Sequence, residues 1–109
     1  MTENMISAED KFNPDVSLAR NDAHHCYELQ VDGKIAVRSF FRDKPGHVDF
    51  THTETTEDFK GQGLGKVLVH FALDDVVASG KRIIPHDPFV APYVRQHEGY
   101  KQYVDWPEA

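Results

Sequence analysis

Lys60-Gly61-Gln62-Gly63-Leu64-Gly65-Lys66 sits where an alternating, strand-like segment gives way to a helix-like apolar pattern, so three glycines and two lysines surround an expected helix N-terminus. Glycine lets the chain bend sharply and lets a ligand approach the backbone, and a helix N-terminus presents free N–H groups, so such a turn suits a phosphate. The stretch therefore points to an anionic, phosphate-bearing cofactor. Two other phosphate loops are excluded by position. A P-loop needs glycine five residues before its Gly-Lys pair and Ser or Thr after it, where this chain has Lys60 and Val67. A dinucleotide fingerprint needs glycine at the position of Lys66 and a parallel βαβ unit opening at a strand.

Downstream, Leu64, Val67, Leu68, Phe71 and Ala72 recur at the spacing that puts an apolar stripe on one side of a helix, and Val69, Leu73 and Val76 widen and extend it. Gly80 is expected to close this helix as its C′ residue. A short strand, Arg82 to Pro85, follows and is expected to lie parallel to the strand before the loop. Upstream, Val16 to Arg20, His25 to Val31, Lys34 to Arg42 and His47 to Thr55 read as strands, joined by turns at Asn21-Asp22, Asp32-Gly33 and Lys44-Pro45-Gly46. Connections this short imply antiparallel pairing.

In the last third, Asp87-Pro88 reads as an N-cap and first helical residue, with Phe89, Val90, Tyr93, Val94 and His97 at helical spacing. Pro92 disfavours helix at Ala91, so the segment is expected to start in an irregular turn and to become regular only near Pro92. Gly99 is expected to end it, and Tyr100, Tyr103, Val104 and Trp106 to pack back on the sheet. Residues 1–15, polar and aperiodic, are read as a mobile arm, and 16–109 as a single domain.

At 109 residues the chain has no room for a separate substrate domain. A net charge of −6 argues against general nucleic-acid binding. It is compatible with a cationic amine substrate, although solubility alone accounts for acidic surface. No apolar run reaches membrane-spanning length and no signal-peptide core opens the sequence, so a cytoplasmic protein without a membrane partner is expected. The single Cys26 agrees with a reducing compartment.

The turn fits the acyl-CoA loop of the Gcn5-related N-acetyltransferases (GNAT), which reads Arg or Gln, two residues, Gly, one residue, then Gly or Ala; Lys60, Gly63 and Gly65 take those places. The succession VDGKIAVRSFF, HVDFTHTETTEDFKGQGLGKVLVHFALDDVVASGKRIIP and PFVAPYVRQHEGYKQYV resembles the small, single-domain branch of that family, the YjdJ-like or NATD1-like proteins, over residues 16 to 106. The resemblance implies a compact α+β (α/β) fold, a twisted, mostly antiparallel sheet with a central CoA-loop helix and a second, C-terminal helix. It also implies acetyl-CoA as co-substrate, an amine acceptor, and a donor site formed by Thr55, Lys60, Gly61, Gln62, Gly63, Leu64, Gly65 and Lys66, with Arg95 assisting at phosphate. Two departures stand out. Many relatives carry cysteine in a Pro-x-Cys-Pro segment where this chain reads Pro85-His86-Asp87-Pro88, which closes a covalent acetyl-cysteine route there. Lys60 keeps the charge of the usual Arg but loses its bidentate fork.

Direct attack of a neutral amine on a thioester needs a base, a polarised carbonyl and a proton for the departing thiolate. Glu54, closing the strand before the loop, is the first candidate base, with His52 on the same strand face as a relay; each also reads as an ordinary strand residue. Tyr93 is a candidate donor to the thiolate, or a core aromatic. Asp87 is a helix N-cap, or an amine anchor or base. Backbone amides of the same strand are the expected carbonyl-polarising groups. The histidines do not form a metal site: His24 and His25 face opposite ways, and His70 and His97 lie on different helices. A CoA-binding module without transferase activity is the alternative. A monomer or weak homodimer is expected, the latter through the strand edge near residues 16 to 20.

Overall fold

The computed structural model describes residues 15–107. Asp32 and Gly33 take φ values of 50° and 80°, the conformation of a two-residue hairpin loop whose twist matches its strands, and Val31 is thereby set opposite Lys34. Strands β1 (Val16–Asn21), β2 (Cys26–Val31), β3 (Lys34–Lys44) and β4 (His47–Thr55) form an antiparallel meander. Helix α1 (Leu64–Ala78) then crosses to β5 (Arg82–Pro85), which pairs parallel to β4 and gives the order β1-β2-β3-β4-β5. Helix α2 (Val90–Gln96) follows, and 3₁₀ turns lie at Asp22–His24, Glu57–Phe59 and Glu98–Tyr103. This is the expected α+β arrangement.

Helix α1 ends as its sequence dictates. Lys81 N–H donates to the Val76 carbonyl at 3.1 Å and Gly80 N–H to that of Val77 at 3.0 Å, the paired bonds of a Schellman close. Its buried stripe, Leu68, Val69, Ala72, Leu73 and Val76, meets Tyr27, Leu29, Val37, Phe41, Val48 and Phe50 of the sheet, whereas Val67, expected in that stripe, points to solvent at 45% exposure. Val90, Tyr93 and Val94 of α2 join the same cluster, as do Tyr100 and Val104. Both helices therefore cover one face of the sheet, and among the described residues no helix covers the other.

A bulge in β4 sets up the site. Phe50 pairs with Phe41, His52 with Phe40 and Thr53 with Ser39, which leaves Thr51 as the extra residue. Val48 and Phe50 face the helices before it, and Thr53 and Thr55 after it, while Asp49, His52 and Glu54 take the helix-free face. Pairing of β4 with β5 stops at Phe50 and Pro85, and the Asp87 N–H makes the last link to the Phe50 carbonyl at 2.9 Å. Beyond it the chains part, so Thr51–Thr55 form one arm of a fork.

Several boundaries differ from expectation. His25, at φ 53°, ends the turn before β2 rather than opening the strand. Asp15, expected in the mobile arm, exchanges hydrogen bonds with Asp32, and the rest of that arm lies outside the described residues. Helix α2 is regular already from Val90, two residues ahead of Pro92, and Asp87 caps its entry, accepting from Phe89 N–H at 2.9 Å through its carboxylate and from Ala91 N–H at 3.0 Å through its carbonyl. Gly99 does not stop the helix; α2 ends at Gln96, and Gly99 falls within the last 3₁₀ turn. The tail then bridges Ile83 through Val104, extending the edge of the sheet. Trp106, expected to pack on the sheet, is 45% exposed and lies 4.7 Å from the Arg95 guanidinium. The tail is fastened by Asp105, which accepts from His47 Nε2 at 2.8 Å and from Arg82 Nε and Nη2 at 2.8 and 2.9 Å.

Candidate functional site

The turn that follows β4 combines two kinds of glycine. Gly61 and Gly63 adopt φ values of 81° and 75°, and a Cβ on either would touch nothing within 4 Å, so backbone conformation alone requires them. Gly65 lies inside the first turn of α1, and a Cβ there would stand 2.7 Å from Phe89 Cζ. Its requirement is close packing. Gly63 is the N-cap of α1 and no side chain caps the helix, so the first-turn N–H groups stay available to a ligand.

Two cavities meet at this turn. One, of about 160 Å³, is lined by Thr55, Phe59, Gly61, Gly63, Leu64, Gly65, Lys66 and Phe89. The other, of about 180 Å³, lies between the two helices against Lys66, Pro88, Phe89, Pro92, Tyr93 and Gln96. Lys66 and Phe89 belong to both, so the Phe89 ring divides what is otherwise one groove. Donor N–H groups, a lysine on the rim and apolar walls suit a ligand with an anionic head and a long, largely apolar arm.

Most of the expected donor residues are thus brought together, and three are not. Lys60 pairs with Glu57 at 3.1 Å, both exposed, and lines neither cavity. Gln62 lines neither as well, and Arg95 is taken up by Trp106.

The four expected catalytic side chains fall in three places. His52 and Glu54 are exposed on the helix-free face, with Nε2 and Oε2 3.4 Å apart and the His52 ring stacked over Phe40. Asp87 is buried inside the fork, and both its oxygens are engaged, Oδ1 by the Phe89 N–H and Oδ2 by the Thr53 hydroxyl. Tyr93 is largely buried, stacks on His97 at 3.9 Å, and directs its hydroxyl to His70 Nδ1 at 3.3 Å. Burial, with the Asp74 carboxylate adding to it, pushes the Tyr93 phenol above its ordinary value.

Phe59, Phe89 and Thr53 were missed by sequence reasoning. Gly65 carried a signal for Phe89, since glycine in the first turn of a helix implies that something packs against it. Thr53 had none, because its tie to Asp87 exists only through the bulge and the fork.

A family model described as GCN5-related N-acetyl-transferase matches residues 26–104. Among solved structures, the chain is similar to a ribosomal-protein-alanine N-acetyltransferase from Brucella melitensis biovar Abortus 2308, with a TM-score of 0.54 and 19% identity over 88% of this chain and 96% of that one. No curated protein matches it.

Proposed function

The chain belongs to the GCN5-related N-acetyltransferase family, and we propose that it transfers the acetyl group of acetyl-CoA to an amine by direct attack on the thioester. The observation that carries this reading is the uncapped N-terminus of α1 beside the glycine turn, opening onto a groove bordered by Thr55 at the end of β4 and by Pro88 and Phe89 beyond β5. The N–H groups of Gly61 to Lys66, with Lys66 on the rim, suit the diphosphate, and Thr55, Leu64 and Phe89 border the path of the arm. The amides of Thr51–Thr55 that face the fork suit the thioester carbonyl.

The acceptor amine enters from the helix-free face, where His52 and Glu54 stand exposed and close enough to pass a proton. Asp87, tied at both oxygens, holds the two arms of the fork together. Tyr93 retains its proton and is the nearest phenol to the groove, which fits a donor to the departing thiolate. The order of its motifs favours the small, single-domain, YjdJ-like or NATD1-like branch, and we read the protein as a cytoplasmic one. The double engagement of Asp87 also favours a second reading, a CoA-binding module without turnover, since the residue where relatives carry cysteine serves here as a structural tie.

Two measurements separate these readings. CoA should raise the melting temperature, and thiol should be released from acetyl-CoA when polyamines, amino acids or lysine peptides are added. CoA binding with no thiol release across that panel selects the module. No shift with CoA rejects both.

A further inference from the structure

Asp49 is fully buried in β4, on the sheet face without helices. Its Oδ1 lies 2.6 Å from His86 Nδ1, and its Oδ2 lies 3.1 Å from Lys44 Nζ and 3.7 Å from Arg42 Nη2, in neither case aligned as a hydrogen bond. Burial pushes this carboxyl up, but His86 and Lys44 outweigh it and hold the group below the ordinary carboxylate range. A carboxylate can only accept, so the proton of His86 sits on Nδ1. Nε2 therefore carries the lone pair, and it has no hydrogen-bond partner among the described residues while the side chain is 43% exposed. His86 also stands at the crotch of the fork. It follows Pro85, the last residue of β5 paired with β4, and precedes Asp87, whose side chain turns to the opposite face to meet Thr53.

We infer that His86 is the general base of the transfer, with Asp49 as the residue that fixes its tautomer and orientation. This rests on the acetyl-CoA reading above. A histidine oriented by a buried carboxylate, with its second nitrogen open, is the arrangement that accepts a proton from an attacking nucleophile. The acceptor arrives as an ammonium and loses one proton to His86 Nε2. The nitrogen lone pair then forms the bond to the carbonyl carbon, the carbon–sulfur pair leaves on sulfur, and the second nitrogen proton ends on the thiol. His86 returns its proton to water. His52 and Glu54, farther along the same face of β4 and mutually paired, lack a buried partner that would orient them. Among the described residues, the charged groups within ion-pair distance of the dyad are Arg42 and Lys44 of β3.

The test uses thiol release from acetyl-CoA with the best acceptor of the amine panel, read as a pH profile, beside acetyl-CoA affinity and melting temperature. His86→Asn keeps an amide donor for Asp49 but has no basic nitrogen. It should lower kcat about 100-fold or more, abolish the acidic limb of the profile, and leave affinity and melting temperature unchanged. His86→Ala should regain activity in imidazole buffer, and Asp49→Asn should lower kcat with affinity unchanged, because the imidazole loses the carboxylate that fixes its tautomer. If kcat and the acidic limb survive in His86→Asn, or if kcat falls while the limb persists and imidazole restores nothing, His86 is not the base and only this inference fails. Wild-type protein that binds CoA but releases no thiol overturns the transferase reading and this inference with it.

Discussion

Gly63 and Gly65 stand in the same turn, yet different physics holds each of them. Gly63 is in the left-handed region with open space around it, so Gly63→Ala should cost about 1–2 kcal/mol of strain wherever Phe89 lies. Gly65 is limited by contact with the Phe89 ring tip, and that ring is 39% exposed and free to swing. Gly65→Ala should therefore leave stability nearly intact while driving the ring into the groove. Acetyl-CoA binding should weaken about tenfold, equivalent to ~1.4 kcal/mol. A double-mutant cycle with Phe89→Ala separates the two cases. Coupling should appear between Gly65→Ala and Phe89→Ala in calorimetric binding, and none between Gly63→Ala and Phe89→Ala in urea titrations. Equal coupling in both pairs would mean that the turn moves as one body. The glycines themselves were legible in the sequence, because their spacing is local. Which of them answers to conformation and which to a neighbour was not, because Phe89 reaches Gly65 only through the packing of α2 against α1.

At the scale of elements, local signals were read well and register was not. The stripe of α1, its Gly80 close and the Asp32-Gly33 hairpin are set by residues within a few positions of one another. The bulge at Thr51 has no such signature, since His47 to Thr55 alternates acceptably in either phase, yet it decides which side chains of β4 meet the helices. The tail shows the same limit, because nothing near Val104 announces that it will bridge Ile83. What holds it there is the Asp105 clamp, which carries a pH signature. Arg82 chiefly, and His47 after it, hold the Asp105 carboxyl well below its ordinary value of 3.8. That contribution is complete above 3.8 and is lost as pH falls through the depressed folded value. The Pro45 carbonyl, then Asp105, hold His47 above its ordinary value of 6.5, so its contribution is complete below 6.5 and is lost as pH rises through the raised value. Tail docking should be firmest between these limits. Exchange protection of the Asp105 amide, which donates to the Ile83 carbonyl at 2.8 Å, measures it. Protection should fall on both sides of that window, and Asp105→Asn should flatten the dependence. A profile unchanged by Asp105→Asn would show that the Ile83 bridge stands without the clamp.

For the whole molecule, one core serves both helices, and the groove is made from both flanks of that core. The end of β4, the turn, the first residues of α1 and the Phe89 edge of α2 all border it, so a ligand there joins parts contributed by distant stretches of chain. Motif order in the sequence was enough to identify this assembly as a type, but not to show that, among the described residues, both helices fall on one face of the sheet, which depends on where α2 packs. A domain of this size has about 5–15 kcal/mol of stability, so a single core truncation is a large perturbation. Leu73 is fully buried in α1 and lines neither cavity. Leu73→Ala should therefore cost about 2–5 kcal/mol while leaving acetyl-CoA affinity unchanged. Because the ligand binds only the folded state, acetyl-CoA at 100 times its Kd should return about 2.7 kcal/mol to both wild type and variant. In urea titrations the two proteins should shift by the same free energy, each in one transition with an unchanged slope. A smaller gain in Leu73→Ala would mean that the cavity left in the core deforms the groove. A second transition that appears only without ligand would mean that α2 and the tail unfold apart from the sheet, and that the ligand is what makes them one unit.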